Sequence, residues 1–169
     1  MQLQDTKTGL DGLLDEVLAG AQPETPEELE ELVIAVGRSP WLWSEAIRFD
    51  LGRRSYRVLR KTPGLELALF GWAAGQDTVY HDHGGASGAV FVCSGLLVED
   101  TIQAVDGKVL SERTFKRFPE SSFSFGPDYI HRVRHDPALG VCLSIHAYAP
   151  AVGAQTDYEV LDDGSLRAL

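Results

Sequence analysis

From about residue 54 onward the chain breaks into short runs rich in β-branched and aromatic residues, with turn residues between them. The runs are "SYRVLRK", "LELALFGW", "GAVFVCSGLLVED", "GKVLSERTF", "SSFSFG", "YIHRVRH" and "VCLSIHAYA". The separators are "TPG", "GQD", "HGG", "DG", "GPD" and "DPALG". Such runs read as strands, whose side chains alternate between two faces. Six or seven short strands this closely spaced predict an all-β sandwich or small barrel.

The first fifty residues read as helical. "LDGLLDEVLAG" places Leu10, Leu13, Leu14, Val17 and Leu18 at helical spacing, and Gly20 ends the pattern. In "ETPEELEELVIAVG", Thr25 is the expected N-cap and Pro26 the first helical residue. Glu27 and Glu28 complement the helix dipole there, and Gly37 closes the helix. "SPWLWSEAIRF" predicts a further short helix begun by Ser39 and Pro40, with Trp41 and Trp43 packing the helical layer. The tail "VLDDGSLRAL" reads as a small polar hairpin or a loose end. At 169 residues, with no linker and no repeat, the chain predicts one domain. Its parts are helices over 1–50, a β-barrel over 53–151 and a tail over 152–169.

A formal net charge of -10 argues against a nucleic-acid partner, which would demand a basic patch. No apolar run approaches the length of a membrane span. The start "MQLQDTKTGLDG" lacks the basic and apolar segments of a signal peptide, so the expected compartment is the cytoplasm. Cys93 and Cys142 are then expected as reduced thiols, buried on strands. Nothing in the sequence sets an oligomeric state, and a monomer is compatible with all of it.

The chemistry concentrates in "VYHDHGGASG". If "VYHDH" is extended, His81 and His83 project to one side and Asp82 to the other. Two imidazoles on one face make a grip for a divalent metal. The spacing Gly75-x5-His81-x-His83-x4-Gly88-x6-Gly95 resembles the first motif of the cupin superfamily, which carries a glutamate ligand where this chain has Gly88. "FGPDYIHRVRH" loosely resembles the second cupin motif and offers His131 as a third ligand. His135 stands where that motif often has asparagine and reads as a surface histidine entering a turn. Three neutral imidazoles leave the metal its full charge, which suits an anionic ligand such as a thiolate.

Thirteen residues beyond His131 the chain reads Ser144, Ile145, His146, Ala147, Tyr148. With "VYHDHGGASG" and "IHRV", this resembles the cysteine dioxygenase family of thiol dioxygenases, over roughly residues 53–151. The resemblance implies a jelly-roll-like cupin barrel and a ferrous iron, Fe(2+), on His81, His83 and His131. It implies a Ser144, His146, Tyr148 hydrogen-bond relay and oxidation of L-cysteine by O2 to cysteine sulfinate. Animal members crosslink a cysteine to the active-site tyrosine. Gly88 stands at that position, so Tyr148 is expected uncrosslinked, as in the bacterial branch. Pro150 stands where many members have Ser-Pro-Pro, a candidate for a cis bond.

The family binds the substrate carboxylate with an arginine on the strand before the histidines. "RRSYRVLRK" offers Arg53, Arg54, Arg57 and Arg60. The aromatic neighbour Tyr56 selects Arg57, and a planar guanidinium suits a carboxylate. Arg53 and Arg54 then read as solvated charges, and Arg60, three residues on, as facing the opposite way. Two other readings stay open: a dioxygenase for another small thiol such as 3-mercaptopropionate, and a non-catalytic metal- or metabolite-binding cupin. The relative that uses 3-mercaptopropionate places its arginine soon after the tyrosine, where "APAVGAQTDYEV" has no basic residue.

Overall fold

The computed structural model describes Leu18, residues 23–136, Ala138 and residues 140–169. The helix expected over 10–18 lies outside the described residues except for Leu18, which is buried. Helix α1 (Pro26–Gly37) starts as the sequence predicts. Thr25 Oγ1 accepts from the Glu28 amide while the Glu28 carboxylate returns to the Thr25 amide. "SPWLWSEAIRF" is not one helix but two single 3-10 turns, Pro40–Leu42 and Ser44–Ala46, and Ser39 makes no capping bond. Trp43 is buried and donates its indole N–H to the Val36 carbonyl at 2.9 Å. Trp41 is exposed instead of packed.

Eleven strands follow among the described residues. They are β1 (Ser55–Lys61), β2 (Glu66–Trp72), β3 (Tyr80–His81), β4 (Ser87–Ser94), β5 (Leu97–Val105) and β6 (Lys108–Arg117). The chain continues with β7 (Ser122–Phe125), β8 (Ile130–His135), β9 (Cys142–Ala149), β10 (Asp157–Val160) and β11 (Leu166–Ala168). One sheet runs β1-β2-β9-β4-β7 and the other β11-β10-β3-β8-β5-β6, with every named pair antiparallel. The long run "GAVFVCSGLLVED" splits into β4 and β5 at Gly95. There φ is 77°, and a Cβ would lie 2.7 Å from the Val141 carbonyl oxygen. The tail forms the hairpin β10–β11 and extends the second sheet beside β3. The Ala149–Pro150 bond is cis.

Period two divides the first sheet between two cores. Leu67, Leu69, Ala89, Phe91, Ile145 and Ala147 face Leu29, Val33 and Val36 of α1. Ala68, Phe70, Trp72, Val92 and Cys142 face the barrel interior with Leu97 and Val133 of the second sheet. Helix and sheet approach closely at Gly37, where a Cβ would sit 2.1 Å from the Phe91 ring. Cys93 packs against the helical core and Cys142 lies in the barrel, both as free thiols.

His135 is not the surface histidine its turn position suggests; it is 2% exposed. Its Nδ1 lies 2.8 Å from the Leu96 carbonyl and its Nε2 2.8 Å from the Gly140 carbonyl. The ring therefore ties the turn after β8 to the β4–β5 corner. His135→Ala should remove a ring packed between two carbonyls, leave the one that accepts its N–H without a donor and open a cavity, costing about 2–4 kcal/mol. Urea unfolding checks it: a lower midpoint with an unchanged slope is expected, and an unmoved midpoint would contradict the clamp.

Candidate metal centre

The HxH segment crosses from strand to loop at the barrel interior. His81 ends β3 and pairs across to His131 of β8 and Asp157 of β10. His83 lies just past the strand, and both it and His81 point inward. Asp82 points away, accepting from the Gly84 and Thr156 amides at 2.9 and 3.1 Å and from the Tyr158 hydroxyl at 2.7 Å. Gly84 makes this loop possible. Its φ is 61°, and a Cβ would lie 2.2 Å from the Ala154 carbonyl oxygen.

His81, His83 and His131 are all buried, and each offers a ring nitrogen within 4.8 Å of the others. Their ring centroids form a triangle of 4.8–5.1 Å sides. His81 Nδ1 faces the Val79 carbonyl at 3.0 Å and His131 Nδ1 faces Glu99 at 2.8 Å, which leaves Nε2 free on both. His83 has no hydrogen-bond partner on either nitrogen; Phe125 and Tyr148 stack on its ring. A buried polar atom left without a partner costs on the order of 1–3 kcal/mol. Three convergent imidazoles, one with nothing else to bind, fit a divalent cation.

Burial keeps the His81 and His83 rings neutral, as metal binding requires. Desolvation, with the neighbouring His131, holds His81 down to about 4. The same causes, joined by His81, hold His83 at about 2. On β9, Ser144, His146 and Tyr148 share the inward face while Ile145 and Ala147 join the helical core. Trp72 Nε1 donates to Ser144 Oγ at 3.0 Å, and an indole can only donate. The buried Ser144 proton must go to His146 Nε2, 2.8 Å away. His146 is neutral, its pKa pushed well down by burial, so its Nδ1–H donates to the Tyr148 oxygen at 3.0 Å. The Tyr148 proton is then free to point into the cavity. Burial raises that phenol's pKa, although Arg54 opposes the shift.

The cavity beside His83 and Tyr148 has a volume of about 460 Å³ and is also lined by Arg54, Phe70, Glu66 and Lys61. A larger groove of about 750 Å³ between β5, β6 and the β7–β8 loop has no histidine in its lining. Arg57 does not reach the cavity. It pairs with Leu69, on the outward face, and is exposed. The inward arginine is Arg54, half-buried over the rings of Phe70 and Trp72 at 5.0 and 4.9 Å. A bulge between Val58 and Arg60 breaks the alternation, so Arg57 and Arg60 do not face opposite ways. Arg60 pairs with Leu67, whose side chain also faces outward. Gly88 sits across from Tyr148 in the sheet, where a Cβ would meet the Phe125 ring at 2.3 Å.

Sequence reasoning misses three further residues. Trp72 orients the relay, and Glu66 lines the cavity, bonded to Tyr56 and to Lys61 at 2.5 Å. Glu99, fully buried, holds His131. An acid inside the apolar run "LLVED" is the one available signal for Glu99.

The neutral histidines give a pH dependence. The unfolded chain binds protons near pH 6.5 that the folded metal-free protein refuses down to about pH 4 at His81. Stability of the metal-free form should therefore fall as pH drops through that window. Between pH 7 and 5 the loss is on the order of 1–2 kcal/mol for each such histidine. Urea midpoints at both pH values measure it. His83→Phe should shrink the drop, and an equal drop in that variant would contradict the assignment.

The profile of the cysteine dioxygenase type I family matches residues 5–160. No curated protein sequence matches the chain. Among solved structures, one similar fold is a protein with a double-stranded β-helix domain from Klebsiella pneumoniae. It has TM-score 0.56 and 14% identity, covering 68% of this chain and 86% of that one. A cupin superfamily protein from Desulfitobacterium hafniense has TM-score 0.51 and 14% identity, covering 63% and 86%. The protein TT1209 from Thermus thermophilus has TM-score 0.54 and 16% identity, covering 64% and 93%. These likenesses establish the cupin fold, and no helix among the described residues is long and apolar enough to cross a membrane. With the family profile spanning most of its length, the chain belongs to the cysteine dioxygenase type I family.

Proposed function

We propose that this protein is an iron-dependent thiol dioxygenase that converts L-cysteine and O2 to cysteine sulfinate. The thiol RSH and O2 combine to RSO2H, so both oxygen atoms end on sulfur and no external reductant is needed. The observation that carries the substrate is Arg54. It is a half-buried guanidinium beside the histidine cluster, stacked on two rings and without an ion-pair partner among the described residues. Burial pushes its pKa down, and a bound carboxylate would offset that cost. The role assigned to Arg57 from sequence therefore passes to Arg54.

Ferrous iron on His81, His83 and His131, when bound, would lower the pKa of a coordinating thiol and supply the O2 chemistry. The protein's own part is orientation. Arg54 fixes the carboxylate, and the Ser144–His146 pair holds Tyr148 with its proton toward the cavity. Phe70 and Phe125 keep apolar surface around the reacting groups. The proposed compartment is the cytoplasm, which the two unpaired thiols suit. The second reading is 3-mercaptopropionate, since Arg54 reads a carboxylate that both thiols carry. Both Glu66 oxygens are already taken by Tyr56 and Lys61, so that acid is not a free partner for the cysteine amine.

An oxygen electrode tests the proposal, using ferrous protein with cysteine, 3-mercaptopropionate, cysteamine or no thiol. Consumption with cysteine above all others is expected; no consumption with any of the three thiols would favour a non-catalytic cupin. Arg54→Ala should lower kcat/KM for cysteine roughly tenfold to a hundredfold, the loss of one charge-assisted contact. Cysteamine, which has no carboxylate, should change little, and Arg57→Ala should change neither. Equal losses for both thiols in Arg54→Ala would assign that residue to the fold. Replacing any one of His81, His83 or His131 with Ala should remove most bound iron by elemental analysis and nearly all oxygen uptake.

A further inference from the structure

We propose that Glu99 supplies the metal centre with carboxylate charge through His131, in place of the acidic ligand that position 88 cannot provide. Position 88 has no room for such a ligand. A Cβ there would lie 2.3 Å from the Phe125 ring and 3.0 Å from Tyr148. The three imidazoles that remain bring no carboxylate of their own to the cluster. On β5, Thr101 pairs with His131, so Glu99 is the diagonal neighbour on the same inward face. It is 0% exposed.

Every bond of that carboxylate has a direction. Oε1 accepts from His131 Nδ1 at 2.8 Å and from the Tyr129 hydroxyl at 3.0 Å. Oε2 accepts from Arg117, at 2.8 Å from Nε and 2.6 Å from the terminal nitrogen. Arg117 lies on the more solvent-accessible side, its guanidinium over the rings of Phe115 and Phe123. The carboxylate is thus clamped from behind with one oxygen aimed at the histidine. His131 Nδ1 must carry the proton, which leaves Nε2 as its ligand atom. An anionic acceptor on Nδ1–H makes Nε2 a stronger donor to a cation.

The three histidines differ in this respect. His81 donates to a neutral carbonyl, and His83 has no partner. Of the three, His131 is the one whose ring hydrogen-bonds to a carboxylate among the described residues. Glu99 is therefore a positioning residue that never touches substrate, and its effect should appear in the metal itself.

The proposal rests on the three-histidine centre, and the test separates the two. The metal-stripped full chain is titrated with cobalt(II), as wild type and as Glu99→Gln. Gln keeps the shape and an acceptor for His131 but removes the charge. Cobalt(II) should bind the variant roughly tenfold to a hundredfold more weakly, the scale seen for such partners. Equal affinity would overturn the proposal. Wild type that takes up no cobalt would overturn the metal centre itself, and this proposal with it. A second measurement needs no variant: in zinc-loaded wild type, the His131 Nδ1 proton should resonate further downfield than that of His81. Coincident positions would overturn the proposal even if Glu99→Gln failed to fold. In a folded variant, a higher Fe(III)/Fe(II) potential than wild type is expected. An unchanged potential would reduce Glu99 to a structural role and overturn the proposal.

Discussion

Strand β9 lies at the centre of the first sheet, between β2 and β4, and both of its faces are buried. One face must be apolar to receive α1, and Ile145 and Ala147 meet that demand. The other carries Ser144, His146 and Tyr148 into the barrel. A slip of one residue would bury the polar trio against the helix and turn the apolar pair toward the cavity. Register on this strand is therefore fixed by two cores at once, and the direction of the relay follows from it. The helical layer does more than cover the sheet, because it determines which side of β9 can do chemistry.

Inside the barrel the governing rule is that buried polar groups find partners. Ser144, His146 and Tyr148 satisfy one another, with Trp72 starting the chain. Glu99 is satisfied by His131, Tyr129 and Arg117. Against that background, His83 stands out with two unpartnered nitrogens. Its rings of contact are aromatic, so they hold its position without competing for its lone pair. Partner-rich groups and one partner-free ligand are what a site assembled around a cation requires.

Much of this was legible in the sequence because it depends on period two. His81, His83 and Asp82 divide between two sides as the alternation says, and so do Ser144 through Tyr148. The start of α1 was legible through Thr25, Pro26 and Glu28, a local pattern that needs no tertiary contact. Arg54 and Arg57 were not separable, because inward and outward on β1 are set by pairing to β2 and not by β1 itself. The bulge after Val58 leaves no mark in "SYRVLRK". His135 shows the same limit: a histidine before a turn looks solvated until Leu96 and Gly140 arrive from distant parts of the chain.

The charges around the cluster come from opposite sheets. Arg54, just ahead of β1, places a cation beside the cavity where an anionic substrate would lie. Glu99, on β5, places an anion behind His131 where the substrate cannot reach. Exchanging the two would put an acid against the substrate carboxylate and a cation against the metal ligands, and both contacts would be repulsive. On the proposed reading, this arrangement would let a centre with no acidic ligand hold a divalent cation and still receive an anion. On that reading the metal's compensation comes from behind, through an imidazole, and the acid in the cavity lining, Glu66, is already paired with Lys61 and Tyr56.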